Sequence, residues 1–568
     1  MTTHVVSMFP HFDTFPILYW LPVYALCWGL LWLTGRAGIR GRTFVALALG
    51  LLFLLRLPSI VFDAEINPDE SQMITQALTL RHDPVYFRSV DGTTGGPLNS
   101  YFLVLPNLLG LPFDYITAHL MAFGLVALCL WLLFRTARLW YGERAAQFAL
   151  LPFVFTLGLT QNGDFLHYNG ELIALVLLSG TYYRYARLRR QEHPPQLSYL
   201  SIGLALGAMP FGKLQVVPLA AVVGAFVLLD LLTRRNLTSS DKAKRTGLLV
   251  AGGLTVPALV VSLTWVNGVF DDLITYYLLG NLRYGAGSNQ WASLLHLPQF
   301  FRDGDEFDWL IKLTAVVWLA GLLTVLRKGT GGSRDSWRTG GFAFALLIAM
   351  VFSITRTGSG YVHYLYYLTG PLLLALAYGL EQLLMLGRAG QLAVPVTLSV
   401  FLALFGLNAL QEHQRGMALN RYPSDGQNGW AIQQTPVSKA VLRYARPGEK
   451  LAVWGWRCDY YVQTQMPQGV AENHTIRSAF AHSMLATYQQ RYVRDFMRSF
   501  PPVFVDAVGN QNLWMTDKKT QGHEIIKPLG RFVAAHYRYV GLISDARLYV
   551  RYDRVRGLPN ANQPLAAN

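Results

Sequence analysis

The chain has 568 residues, 52% of them hydrophobic and 14% charged, with a mean hydropathy of +0.28. That is too apolar for a water-soluble protein of this length and reads as an integral membrane protein. A formal charge of +15 would suit a nucleic-acid binder, but its placement along the chain excludes that partner, and three cysteines exclude a disulfide scaffold.

In chain order, windows of about 20 apolar residues mark membrane spans. They lie near 15–34, 43–62, 113–134, 145–161, 169–186, 198–212, 214–233, 247–268, 306–326, 340–355, 361–386 and 391–410. The first is read as a retained helix, because no basic region and small-residue cleavage site accompany it. The apolar run 198–233 is too long for one span. Pro210-Phe211-Gly212-Lys213 divides it, since Pro and Gly punctuate there and Lys213 needs a polar environment. Segment 98–110 is apolar but short, which predicts a re-entrant or interfacial piece.

The basic residues test this order. Alternate short loops carry twenty Lys and Arg: around Arg36, Arg138, Arg187, Arg234, Arg327 and Arg388. The opposite loops carry six: Arg81, Arg88, Lys213, Arg283, Arg302 and Arg356. Positive charge stays on the cytoplasmic side, so the excess is topology. Loop 63–112, the turn at Lys213, loop 270–305 and the C-terminal tail are then extracytoplasmic. Tyr182, Tyr183 and Tyr185 read as an interfacial aromatic belt.

After Gln411 the composition turns polar. Amphipathic runs at Ser438–Tyr444 and Tyr488–Phe500 alternate with strand-like runs at 451–456, 503–508, 539–543 and 548–552. The expected architecture is an α-helical polytopic membrane protein of about twelve transmembrane helices (1–410) with a small extracytoplasmic α/β domain (411–568). Residues 560–568 read as a frayed end.

The residues that carry chemistry gather on the predicted outer face. Ile66-Asn67-Pro68-Asp69-Glu70 places two carboxylates just beyond a span, where lipid would penalise them, so they need the interface or a polar cavity. Asp91, Asp164, His167, Tyr168, Asn169, Lys213, Arg283, Arg356, Tyr361, His363 and Tyr364 fall on the same side. Asp63 and Glu65 read as solvating a helix end, and Arg56 as snorkelling. Lys213 and Arg356 divide evenly between snorkelling anchors and site residues, and His363 between a packed histidine and a ligand-facing one.

A span, then Asn67-Pro68-Asp69-Glu70-Ser71, then Asp91-Gly92-Thr93-Thr94-Gly95-Gly96-Pro97-Leu98-Asn99-Ser100-Tyr101 resembles the GT-C superfamily of glycosyltransferases. Asp164, the Gly212-Lys213 turn and Tyr361-Val362-His363-Tyr364 extend the likeness. It is nearest the protein O-mannosyltransferases and lipid A aminoarabinose transferases. The resemblance implies sugar transfer from a polyprenyl-phosphate donor to an acceptor lipid, glycan or protein, in a bacterial inner membrane with the site facing the periplasm. It implies Asp69 as general base with Glu70 beside it. Asp91, Asn99, Tyr101, Asp164, His167, Lys213, Arg283, Arg356, Tyr361, His363 and Tyr364 would bind substrate. A divalent ion (Mg, Mn or Zn) on Glu70, Asp164 and His167 is a further expectation. Two features depart from the pattern. Gly95-Gly96-Pro97-Leu98 stands where many relatives have Lys-Pro-Pro-Leu, so a phosphate-facing lysine must come from elsewhere, and the span at 15–34 is additional. The competing reading is a transporter or flippase of lipid-linked saccharides, which would favour paired half-repeats and mid-span charges. An assembly or polysaccharide-binding membrane protein is a third.

Overall fold

Each of the twelve apolar windows is occupied by helix in the computed structural model, which describes residues 16–36, 38–284, 290–328, 334–416 and 431–555. The expected frayed end at 560–568 lies outside the described residues. Among the described residues, seven helices are long and apolar enough to cross a membrane: Ile17–Gly35, Gly41–Val61, Tyr115–Tyr141, Leu214–Thr233, Ser239–Val266, Glu306–Arg327 and Arg388–Gln414. Gln196–Phe211 and Thr339–Thr355 are apolar but shorter. The chain is an integral membrane protein built mainly of helices, with a small C-terminal sheet.

The chain forms two compact units interleaved in sequence. One takes Met1–Phe62, His119–Val260 and Gly285–Asn428; the other takes Asp63–Ala118, Val261–Tyr284 and Gly429–Asn568. The two units are therefore not successive pieces of chain. The first long polar loop belongs with the tail.

In the first unit, small residues let helices approach closely, as expected where lipid supplies no hydrophobic drive between them. An added Cβ at Gly203 would strike the Leu249 carbonyl, and one at Gly252 the Leu200 carbonyl, so Gln196–Ala208 and Ser239–Val266 meet backbone to backbone. The division at Pro210 is present: Gln196–Ala208 ends in a 3-10 turn at Met209–Phe211, and Val217–Thr233 starts after a second turn at Leu214–Val216. The last apolar window likewise opens as a 3-10 stretch, Val362–Leu368, before continuing as the Thr369–Leu384 helix. Irregular turns at membrane depth are tolerated where protein or a polar cavity satisfies them. Tyr182 and Tyr185 are a correction to the belt reading. Both are buried, packed edge-on or tilted against Phe342.

In the second unit a four-stranded sheet runs in the order β1 (Leu451–Trp454), β2 (Val503–Asp506), β4 (Ala546–Arg551), β3 (Tyr537–Ile543). β1 and β2 pair in parallel and are buried throughout, as parallel strands covered on both faces are. β3 and β4 close as a hairpin over Ser544-Asp545, both with positive φ, which matches strand twist. Val437, Val441 and Tyr461 cover one face, and Tyr492, Phe496, Leu529 and Val533 the other. The Pro68–His82 helix is stitched to this domain by polar bonds. Thr75 Oγ1 donates to the Cys458 carbonyl, Asn473 Nδ2 to the Gln72 carbonyl, and the Gln468 N–H to Thr79 Oγ1. The short apolar piece near 98–110 is the Pro97–Leu108 helix of the same unit, with Leu105 and Leu108 exposed.

Candidate functional site

In the membrane-spanning unit, four irregular segments converge. The Gly163–Phe165 turn is capped by Asn162, whose side chain accepts the Asp164 N–H, and this sets Asp164 at the turn's tip. Glu171 sits at the N-cap of the Leu172–Arg190 helix, Lys213 at the break between two helices, and His363 in the 3-10 stretch. The Lys213 ammonium pairs with the Glu171 carboxylate, their side chains only 7% and 0% exposed. His363 lies between two acids, with Nδ1 3.6 Å from Asp164 and Nε2 3.9 Å from Glu171. Its ring stacks on Tyr361 and meets Tyr364 and His167 edge-on. Lys213 Nζ lies 4.8 Å over the Tyr364 ring.

His167 Nδ1 lies 3.0 Å from the Gly163 carbonyl. A carbonyl only accepts, so Nδ1 carries a proton, and in the neutral ring Nε2 is the acceptor. That Nε2 and Glu171 Oε2 are buried without a hydrogen-bond partner among the described residues. Buried polar atoms are rarely left so, and such exceptions mark water, ligand or catalytic use. Arg56 corrects the snorkelling reading. It is buried, donates to the Leu166 carbonyl and lies beside the Tyr366 hydroxyl, which itself holds the Phe165 carbonyl. It supports the Asp164 turn from beneath. Arg356 lies just past the Arg334–Thr355 helix, partly exposed.

In the second unit, Asp69 and Glu70 open the Pro68–His82 helix, where negative charge complements the positive end of the helix dipole. Asn67 and Glu70 form a capping box: Asn67 Oδ1 accepts the Asp69 N–H, and Glu70 Oε1 accepts the Ile66 and Asn67 N–H groups. Glu70 is therefore engaged in shaping the turn, while the Asp69 carboxyl projects partly exposed from it. Glu65 bonds Ser71, which bonds the Tyr115 hydroxyl. Burial, with Asp459 nearby, pushes the Glu65 carboxyl up to about 8. Asp63 is buried and accepts the Tyr115 N–H, starting the next helix rather than solvating the last.

Asp91 is tied inward. Its Oδ2 accepts Arg491 Nη1 at 2.6 Å and its Oδ1 the Thr93 N–H at 2.7 Å. Asn99 is buried, Tyr101 gives its hydroxyl to the Pro84 carbonyl, and Arg283 is exposed on the short Gly280–Tyr284 helix.

The expected metal ligands Glu70, Asp164 and His167 do not form a group with metal-binding spacing among the described residues. Asp506, His523 and Glu524 in the sheet domain do. There the Arg547 guanidinium bonds both carboxylates, so a cation already fills the position and the donor set does not suit a metal.

Of the expected residues, Asp164, His167, Lys213, Tyr361, His363 and Tyr364 are brought together in one unit. Asp69, Glu70, Asp91, Asn99, Tyr101 and Arg283 lie in the other. Glu171 was missed by sequence reasoning. The available signal was an acid at the mouth of an apolar run, Asn169-Gly170-Glu171-Leu172, where ionisable residues mark function.

No protein-family model and no curated protein sequence matches the chain. Solved structures do. The crystal structure of ArnT from Cupriavidus metallidurans bound to undecaprenyl phosphate aligns over 91% of this chain and 99% of its own, at TM-score 0.54 and 16% identity. Its apo state aligns over the same shares at 0.53 and 13%. The oligosaccharyltransferase AglB from Archaeoglobus fulgidus aligns over 82% of this chain and 69% of its own, at 0.43 and 13%. The chain has an ArnT-like fold over 91% of its length.

Proposed function

We propose that this protein transfers a sugar from a polyprenyl-phosphate donor to an extracytoplasmic acceptor (lipid, glycan or protein). The observation that carries the reading is the network of buried Glu171, Lys213 and His363 with half-buried Asp164. An ArnT-like fold, seen in a structure bound to undecaprenyl phosphate, supports it. The alternating basic loops support a periplasmic or outward-facing site in a cytoplasmic membrane.

Attack by an acceptor hydroxyl or amine on the anomeric carbon requires loss of its proton, and Asp69 accepts it. The bond from the anomeric carbon to the phosphate oxygen breaks with its electron pair, leaving negative charge on the lipid phosphate. Lys213 supplies positive charge and, with His363, N–H donors for that oxygen, and Glu171 balances Lys213. Asp164 orients His363. Arg283 and Arg356 are additional phosphate contacts. A hydroxyl of the donor sugar suits the lone pair on His167 Nε2.

Purified protein supplied with a polyprenyl-phosphate sugar and with lipid, glycan and peptide acceptors tests the reading. The wild-type protein releases free polyprenyl phosphate and a glycosylated acceptor, and Asp69→Asn lowers turnover about 10²–10⁴-fold, as loss of a general base does, with unchanged thermal stability. Retained turnover in Asp69→Asn removes the base assignment. Movement of the intact donor across the bilayer with no transfer would establish the flippase instead.

A further inference from the structure

The loop after β1 and the loop after β2 meet in an aromatic cluster that the transfer chemistry does not use. Trp456 stacks on His474 at 4.6 Å and 17°, and Trp514 meets Trp456 edge to face at 5.1 Å. Trp514 remains 43% exposed, beside exposed Leu513. Its loop is nonetheless fixed. Buried Asn512 accepts the Trp514 and Met515 N–H groups and donates to the Ala507 carbonyl, and Arg457 holds Gln511. An indole held rigid and left exposed is a recognition feature rather than a packing one.

A second observation points the same way. Three buried polar atoms in this cluster have no hydrogen-bond partner among the described residues: Trp456 Nε1, His474 Nδ1 and Asn473 Oδ1. His474 and Asn473 are themselves 5% and 0% exposed. Burial and the Arg477 charge hold His474 neutral, down to about 3, so it offers a neutral donor and acceptor rather than a cation. Neutral donors and acceptors beside aromatic faces suit a ring that carries hydroxyls on its edge and C–H groups on its face.

The cluster adjoins the carboxylate helix. Asn473 Nδ2 bonds the carbonyl of Gln72, three residues past Asp69, and Cys458, two residues past Trp456, lies within electrostatic reach of Asp69. We propose that Trp514, Trp456, His474 and Asn473 form a saccharide subsite that presents a glycan acceptor to Asp69. The subsite rests on the transferase reading only for its purpose, and its occupancy is measurable without turnover.

The test is binding of the full chain, in lipid nanodiscs, to an array of neutral, amino and acidic oligosaccharides. Wild type and Asp69→Asn bind the same glycans. Trp514→Ala weakens them about tenfold, the scale of one lost aromatic contact, and Trp514→Phe weakens them less. His474→Phe keeps the stack, removes the ring nitrogens and also weakens binding. Absence of glycan binding by wild type, or equal binding by Trp514→Ala, overturns the subsite. So does quenching of Trp514 by brominated lipid, measured against Trp514→Phe, because the indole would then be a bilayer anchor. Glycan binding lost in Trp514→Ala alongside no detectable transfer by wild type would leave the subsite standing and remove the transferase reading.

Discussion

Two buried ion pairs, one in each unit, solve the same electrostatic problem differently. Arg491–Asp91 is densely knitted, with both Asp91 oxygens and two of the three Arg491 nitrogens hydrogen-bonded, and Arg491 Nε lying 3.7 Å from Asp495. Arg491 also bonds the Phe87 carbonyl, pairs with Asp495 and lies 3.9 Å over the Tyr276 ring, while Asp91 takes the Thr93 N–H on its other oxygen. Lys213–Glu171 is under-satisfied. One Glu171 oxygen has no hydrogen-bond partner among the described residues, and His363 stands between this pair and a second acid. A buried pair whose carboxylate oxygens are both engaged and whose cation has several partners is a strut, because any exchange of partner costs desolvation. A pair with spare valence can re-pair with an incoming anion. The first joins the 83–96 loop to the Leu485–Ser499 helix; the second is the candidate phosphate contact.

The largest expected effect separates the two functionally. The double substitution Lys213→Met with Glu171→Gln removes both charges together, so no buried charge is left alone and the fold survives. Transfer should fall about 10²–10³-fold through loss of a preorganised positive group. Near-normal turnover in a well-folded double variant would reduce the Lys213 network to a second strut and erase the contrast.

Next in size is the strut itself. Asp91→Ala leaves the Arg491 guanidinium buried without its main partner, which costs about 3–5 kcal/mol. Thermal or denaturant unfolding in detergent reads it. Transfer per folded molecule should be unchanged. A stable Asp91→Ala protein with weakened donor or acceptor use would return Asp91 to the substrate-binding set proposed from sequence.

Which parts of this contrast were legible in the sequence follows from what each pattern encodes. The membrane helices were legible because apolar length is written locally, and so was the break at Pro210, because Pro and Gly act on their own backbone. The sheet domain's strands were found within a residue or two for the same reason. The Pro68–His82 helix was hidden. It is buried all round, with polar residues (Ser71, Gln72, Thr75, Gln76, Thr79) interleaved with apolar ones and bonds from Gln72, Thr75 and Thr79 reaching residues nearly 400 positions later, so no apolar periodicity betrays it. Lys213, Asp164 and His363 were singled out as charges out of place. Glu171 was not, because an acid at a helix start looks like an ordinary N-terminal carboxylate until its lysine is seen. Asp91 drew attention through the Asp-Gly pair, yet both its oxygens are engaged internally by partners that sequence cannot supply.

The smallest effect concerns a third buried acid, near the strut but without a cation of its own. Glu472 accepts the Arg477 N–H and the Ser478 hydroxyl, and burial pushes its carboxyl up to about 8. Its folded state therefore holds a proton that the unfolded chain releases near pH 4.5. Where the folded state binds more protons, stability falls as pH rises, so the contribution is complete below about pH 4.5 and is lost progressively up to about pH 8. Glu472→Gln keeps an acceptor for the Arg477 N–H and a polar partner for Ser478 but cannot ionise. Its melting temperature should decline less than that of wild type between pH 5 and 8, with the two nearest each other at the acid end. Glu65, also pushed up to about 8, remains in both proteins, so the slope flattens without vanishing. Parallel melting curves for the two proteins across that range would mean that Glu472 is already ionised in the folded state. It would then draw on Arg477 and Arg491 as counter-charges, and the arginine cluster of the second unit would serve two acids rather than one.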